Sequence, residues 1–128
     1  MISSLTLPMV SPPGFVIVPE RGEAKLTLRF RGVADMSSIE PLDDYLRAAH
    51  QEAKQSNVTT VVVDFRALEF MNSSCFKCFV EWLGTVQDLP EAERYKVVFE
   101  ANRDMHWQRR SLNALRCFAM DVVTVSAA

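Results

Sequence analysis

Between positions 58 and 86 the spacing of apolar residues changes period once. Val58 opens a β-branched run through Thr59, Thr60, Val61, Val62 and Val63 that ends in Asp64-Phe65. The run is short and apolar on both sides, which predicts a central strand with both faces covered. Arg66-Ala67-Leu68-Glu69 predicts a short polar turn. Beyond Phe70-Met71 and three small polar residues, Phe76, Phe79, Val80, Leu83 and Val86 recur at helical spacing. Lys77, Glu81, Gly84, Thr85 and Asp88 form the opposing polar stripe. The stretch therefore predicts strand, turn and helix, with Asn72, Ser73 and Ser74 at the start of the helix. All three residue types cap helices well.

The rest of the chain supplies the partners for that unit. Residues 24–30 alternate apolar and polar, a half-buried strand with Lys25, Thr27 and Arg29 facing outward. Residues 15–18 predict a preceding strand and residues 19–23 the turn between the two. Residues 32–38 form a loop in which Ser37 or Ser38 caps a helix carrying Pro41 in its first turn. Ile39, Leu42, Leu46, Ala49 and Ala53 give that helix its apolar face, with Asp43, Asp44, Arg47, Glu52 and Lys54 in solvent. A charged loop over 88–94 leads to a strand over 95–101. A third helix follows, capped by Asn102 or Asp104 and running to about Phe118, and residues 121–125 form a last short strand. Residues 1–13, with Pro8, Pro12 and Pro13, read as a loosely ordered lead-in.

The order ββαβαβαβ argues for an α/β fold with a mixed, mostly parallel sheet of about four or five strands and about three flanking helices. A chain of 128 residues suffices for one domain, 1–128, around one core. Its 48% hydrophobic and 23% charged residues are ordinary for a globular protein. A formal net charge of −2 brings no bias toward nucleic acid or an anionic membrane. No apolar stretch is long enough to span a bilayer, and Met1-Ile2-Ser3-Ser4 lacks the basic start of a secretory signal. Three cysteines, two of them close together, suit a reducing cytoplasm.

Chemistry concentrates where the second helix begins. A helix N-terminus exposes unpaired N–H groups and a partial positive charge, a natural place for an anion such as phosphate. A serine hydroxyl held there is either a cap or a modification site. Cys75-Phe76-Lys77-Cys78 is a C-x-x-C at a helix start after a strand, the placement of a thiol–disulfide motif. The bulky Phe76 and the charged Lys77 between the cysteines argue for ordinary core cysteines instead. His50, His106 and Cys117 show no metal-ligand spacing. Arg103, His106, Arg109, Arg110 and Arg116 gather on the third helix, as a solvated face or as a basic docking face for an acidic partner.

The segment from Val61-Val62-Val63-Asp64-Phe65 through Asn72-Ser73-Ser74 resembles the signature of STAS domains, typified by bacterial anti-sigma factor antagonists. That pattern is an apolar strand ending in Asp, a short turn, an apolar pair, then Asp-Ser-Ser/Thr-Gly opening a helix. Asn72 stands here for the usual Asp and Cys75 for the usual Gly. Asn72 keeps the capping ability without the charge, and Cys75 brings a Cβ that would hinder a partner's approach. The resemblance implies a non-enzymatic regulatory module whose partner is an anti-sigma factor or related serine kinase, with a phosphatase, and no cofactor or metal. It places the phosphoacceptor at Ser73, with Ser74 the second candidate, and the partner surface at Asn72, Ser73, Ser74, Cys75 and Lys77. Two alternatives stand beside it: a thiol oxidoreductase using Cys75 and Cys78, and a constitutive scaffold whose phosphoswitch has been lost.

Overall fold

The computed structural model describes residues 14–127. The lead-in expected over 1–13 lies outside them. Strands β1 (Phe15–Gly22) and β2 (Lys25–Ala34) are followed by a 3-10 turn (Met36–Ser38) and helix α1 (Ile39–Gln55). Strand β3 (Thr60–Met71), helix α2 (Ser73–Gln87), a second 3-10 turn (Glu91–Glu93), strand β4 (Lys96–Ala101), helix α3 (His106–Phe118) and strand β5 (Val123–Ala127) complete the order. The five strands lie side by side in sequence order. β1 and β2 are antiparallel, and every later pair is parallel. This is the expected α/β order with its mixed, mostly parallel sheet.

The helices cover one face of the sheet. Leu26, Leu28 and Phe30 of β2, Val61, Val63 and Phe65 of β3, and Val97 and Phe99 of β4 are buried against Phe79 and Leu83 of α2. Phe65 meets Phe30, Phe79 and Phe99 at centroid separations of 5.3, 5.4 and 5.6 Å. Two of these contacts are close to perpendicular, the edge-to-face arrangement that aromatic quadrupoles favour. Trp107 approaches Phe65 at 6.3 Å, which places α3 in the same layer as α2.

Among the described residues no helix lies on the opposite face, so the expectation of a β3 covered on both sides is corrected. Val62 is nonetheless buried, because Thr27 and Val98 flank it across the ladder and Arg29 and Asp64 close over the same strip. For the same reason Thr27, expected in solvent, is buried.

Three further expectations change in detail. β1 does not stop at a turn over 19–23. It continues through Pro19, tolerated because β1 is an edge strand, and the reversal is a two-residue turn at Glu23-Ala24 with Ala24 at φ 57°. Glu52 is buried, approached by Arg21 Nε at 3.8 Å, while Ser56 Oγ donates to its Oε2 at 3.3 Å. Capping also differs: Asp35 Oδ1 accepts from Ser37 N at 3.0 Å and organises the 3-10 turn, and Ser38 enters α1 without a side-chain cap bond. Met105, which makes no side-chain cap bond, stands at the start of α3, where Asn102 or Asp104 was expected.

Candidate functional site at the start of α2

The residues expected to turn at 66–69 stay in β3. Opposite Arg29 and Arg31 of β2 stand Asp64 and Ala67, and opposite Gly32 and Val33 stand Leu68 and Phe70. β3 thus carries one extra residue in each interval, two bulges close together. Each bulge leaves two consecutive side chains facing out, Arg66-Ala67 and then Glu69-Phe70, while Phe65, Leu68 and Met71 face the core. A polar tetrapeptide that looks like a turn is a strand whose alternation has slipped twice.

Two devices hold this irregular stretch. Asp64 grips the first bulge: Arg66 donates from N and Nε to Oδ1 at 2.9 and 3.0 Å and from Nη2 to Oδ2 at 2.8 Å. Burial alone would raise the Asp64 carboxyl, but the Arg66 hydrogen bonds and the charges of Arg66 and Arg29 outweigh it and hold it below the usual carboxylate range. The second device replaces a strand. β4 pairs with β3 only as far as Asp64–Glu100, so the carbonyls beyond have no ladder partner there. Gln108 Nε2 donates to Phe65 O at 2.6 Å and to Leu68 O at 2.9 Å, and Asn102 Nδ2 donates to Arg66 O at 3.1 Å. Gln108 Oε1 in turn accepts from Asn102 N at 2.8 Å. Buried backbone groups must be paired, and here side chains of α3 and its leading loop pair them. On the other side, Gly32 sits at φ 93° against Gly14, where a Cβ would run into the Gly14 carbonyl.

β3 therefore delivers Asn72 to the end of the sheet, tied back by Asn72 N donating to Ala34 O at 2.9 Å. Asn72 is the N-cap of α2, its Oδ1 accepting from Cys75 N at 2.8 Å. Asparagine thus does at this position what aspartate would do as a cap. Ser73 and Ser74 are the first two residues of the helix, both exposed, and neither hydroxyl is hydrogen-bonded to a described residue. Their own N–H groups have no carbonyl one turn earlier in the helix. Lys77 is exposed one turn after Ser73, on the same side of α2. Ser74 and Lys77 border a shallow groove of about 460 Å³ between α1 and α2, whose other wall carries Glu40 and Asp43.

Cys75, grouped by its sequence position with the partner-contacting residues, points inward. It is fully buried and its thiol donates to Asp35 O at 3.4 Å. Its Cβ occupies core rather than surface, so it does not obstruct the approach to Ser73. Burial pushes the Cys75 thiol up to about 11, with Cys78 and Asp35 adding to the effect, and burial also raises Cys78. A helix N-terminus would lower a thiol pKa, but desolvation wins here. Cys78 Sγ donates back to Ser74 O at 3.6 Å. This geometry opposes thiol nucleophilicity and with it the oxidoreductase alternative. Among the described residues no group of three His, Cys, Asp or Glu side chains could hold a metal ion.

The sequence did not reveal the exposed apolar side chains at the ends of β2 and β3. Phe70 pairs across the ladder with Val33, and both are exposed, at 49% and 37%. Met36, at the head of the 3-10 turn, is 78% exposed. The 3-10 turn itself packs on α2. Val33 and Phe70 thus expose an apolar cross-strand pair at the end of the sheet that leads into α2. Gln108 was missed as well. A signal for it existed, since Gln108, Leu112 and Leu115 share the buried stripe of α3 and a glutamine there needs buried partners.

No protein-family model and no curated protein matches the chain. Solved structures match its fold. An anti-sigma factor antagonist from Mycobacterium paratuberculosis superposes with a TM-score of 0.63 at 17% identity, covering 91% of this chain and 90% of that one. The Bacillus cell fate determinant SpoIIAA in its phosphorylated form gives a TM-score of 0.57 at 17% identity, over 86% of this chain and 90% of that one. The likeness is one of fold, and the architecture is STAS-like. No helix among the described residues is long and apolar enough to cross a membrane.

Proposed function

We propose that this chain is a non-enzymatic binding module of the anti-sigma factor antagonist type, switched by phosphorylation of Ser73. Its partner would be an anti-sigma factor or related serine kinase, with a phosphatase resetting the switch. The observation that carries this reading is the juxtaposition at the start of α2. Two exposed hydroxyls with no hydrogen bond to a described residue stand at a helix N-terminus, with exposed Lys77 one turn further on and the exposed cross-strand pair Val33–Phe70 at the end of the sheet that leads into the helix. The apolar pair supplies area for a partner, and the hydroxyl supplies the means to remove it.

The physics of the switch is local. A kinase transfers the γ-phosphoryl of ATP to Ser73 Oγ, releasing ADP and the hydroxyl proton. The product carries about −1.5 to −2 charges at neutral pH. In the free protein that charge is solvated and steadied by the helix N-terminus. At a closed interface it must be stripped of water, which is costly without a matching cation. Asn72 contributes by absence of charge. An aspartate cap would set a carboxylate beside the phosphate, and asparagine caps Cys75 N without that repulsion.

The test is to incubate the protein with its cognate kinase and ATP and to map the modified residue by mass spectrometry, with Ser73→Ala alongside. Single phosphorylation at Ser73, absent from Ser73→Ala, is the expected result. Modification of Ser74 alone, or of neither serine while a partner still binds tightly, would make a constitutive scaffold the better account.

A further inference from the structure

At the opposite side of the sheet from β1, α3 and β5 enclose an open cleft of about 880 Å³. Ala101 and Val125 form its apolar floor, and Arg109, Arg110, Asn113 and Arg116 line it from α3, with Asn102, Arg103 and His106 at one end. Residues 102–118 hold four arginines against one acid, Asp104, in a chain whose formal net charge is −2. Positive charge is therefore segregated to this cleft.

The arginines differ in how they are used. Arg21, Arg29, Arg47, Arg66 and Arg94 each face a carboxylate. Arg109, Arg110 and Arg116 take part in none of the ion pairs among the described residues. Arg116 Nη2 donates to Asn113 Oδ1 at 2.7 Å, a contact that leaves the rest of its guanidinium available.

The sheet edge beside this cleft differs from the other edge in the same sense. β1 bears Pro19, Glu20 and Arg21, which discourage pairing with another chain. β5 reads Val123-Thr124-Val125-Ser126-Ala127, with no proline or charge, and among the described residues it pairs only with β4. Its outer N–H and C=O groups therefore face away from the sheet, with no strand of the described residues beside them. A strand added there would lie about 4.8 Å from β5. Every second side chain of that strand would then project to the helix side of the sheet, beside the arginines of α3.

We infer that the β5 edge and the α3 arginine stripe together form a second docking surface, for an extended acidic polypeptide segment that adds as a sixth strand. Main-chain hydrogen bonds to β5 would supply register, and alternate Asp or Glu side chains would meet Arg109, Arg110 and Arg116. Residues 1–13 of this chain do not suit the role, since they contain no acidic residue. A nucleic acid fits less well: the site is one strand edge beside one helix, and the acidic remainder of the chain repels a long polyanion.

The experiment uses the full chain and a fluorescein-labelled peptide of alternating Glu and Val, about twelve residues long, read by fluorescence anisotropy at low salt. Comparison probes are the alternating Lys-Val peptide, an acidic peptide N-methylated at every residue so that neither edge of the strand can donate, and a single-stranded oligothymidylate of similar length. The acidic peptide should bind. Its affinity should fall roughly tenfold or more with Arg109→Glu/Arg110→Glu and, separately, with Arg116→Glu. These positions are exposed, so folding of the variants is checked by circular dichroism. N-methylation should abolish binding, because it removes the donors of the added strand. No binding of the acidic peptide, or binding untouched by charge reversal, would overturn the surface. Equal binding of the N-methylated peptide would overturn strand addition. Tighter binding of the oligothymidylate would reassign the cleft to nucleic acid.

Discussion

Replacing Gln108 by methionine tests how the site is held in place. Methionine nearly matches glutamine in length and fills the same fully buried space, so little cavity is created. What disappears is hydrogen bonding: the Phe65 and Leu68 carbonyls lose their donor, and Asn102 N loses its acceptor. Each of the two orphaned buried carbonyls costs about 1–3 kcal/mol and the half-buried Asn102 N adds to it, so the loss should be about 3 kcal/mol. That is a large share of the roughly 5–15 kcal/mol that stabilises a domain of this kind. Urea unfolding followed by the fluorescence of Trp82 and Trp107 would register it as a midpoint lowered by roughly 1–3 M, given typical denaturant slopes. Gln108→Glu sharpens the test. A carboxylate would face two carbonyls at neutral pH, whereas the protonated acid could donate to one of them. That variant should therefore lose less stability, relative to wild type at the same pH, near pH 5 than near pH 7. A loss below about 1 kcal/mol for Gln108→Met, with an unchanged slope, would refute the claim that α3 side chains substitute for a missing strand.

Three other outcomes follow from the packing. Leu83→Ala should cost about 2–5 kcal/mol, since Leu83 is fully buried under the aromatic cluster; a denaturant titration showing almost no loss would mean that α2 faces the wrong way. In thiol titration of the native protein near pH 8, Cys117 should react at once and the buried Cys75 and Cys78 only on unfolding; a reversible Cys75–Cys78 disulfide with insulin-reductase activity would restore the redox reading. Burial, with Lys54 adding to it, lowers the pKa of His50, whose Nδ1 lies 2.7 Å from Tyr95 Oη. Trp82 Nε1 donates to that same oxygen at 2.9 Å, which leaves the phenol proton for a neutral imidazole. A depressed folded pKa means that the unfolded chain takes up the proton first. Stability should therefore be full above about pH 6.5 and decline below it. In His50→Gln this part of the pH dependence should vanish; an unaltered pH profile would assign it to another group.

The sequence displayed the order of elements and the amphipathic helices because their residues obey one period at a time. Leu26, Leu28 and Phe30 keep strict alternation, and Phe79, Leu83 and Val86 keep helical spacing. Legibility failed where period 2 was interrupted without ending the strand. Two bulges turned Arg66-Ala67 and Glu69-Phe70 outward, so a continuing strand looked like a turn. It failed again where burial came from neighbours distant in sequence, as with Thr27 between strands and Glu52 beside Arg21. The position of Asn72, Ser73 and Ser74 at the start of α2 was legible because capping is a local interaction. The exposure of Val33, Met36 and Phe70 was not, since it depends on the register between β2 and β3.

The central claim, that phosphate on Ser73 governs partner binding at the start of α2, is tested most directly by calorimetry. The cognate anti-sigma factor or serine kinase is titrated into unmodified protein and into protein carrying phosphoserine at position 73. Both forms should give the same far-ultraviolet circular dichroism, because the added charge sits at an exposed helix N-terminus. The unmodified form should bind, and the phosphorylated form should bind at least about tenfold more weakly, a difference of about 1.4 kcal/mol. Equal affinity for the two forms would contradict the account.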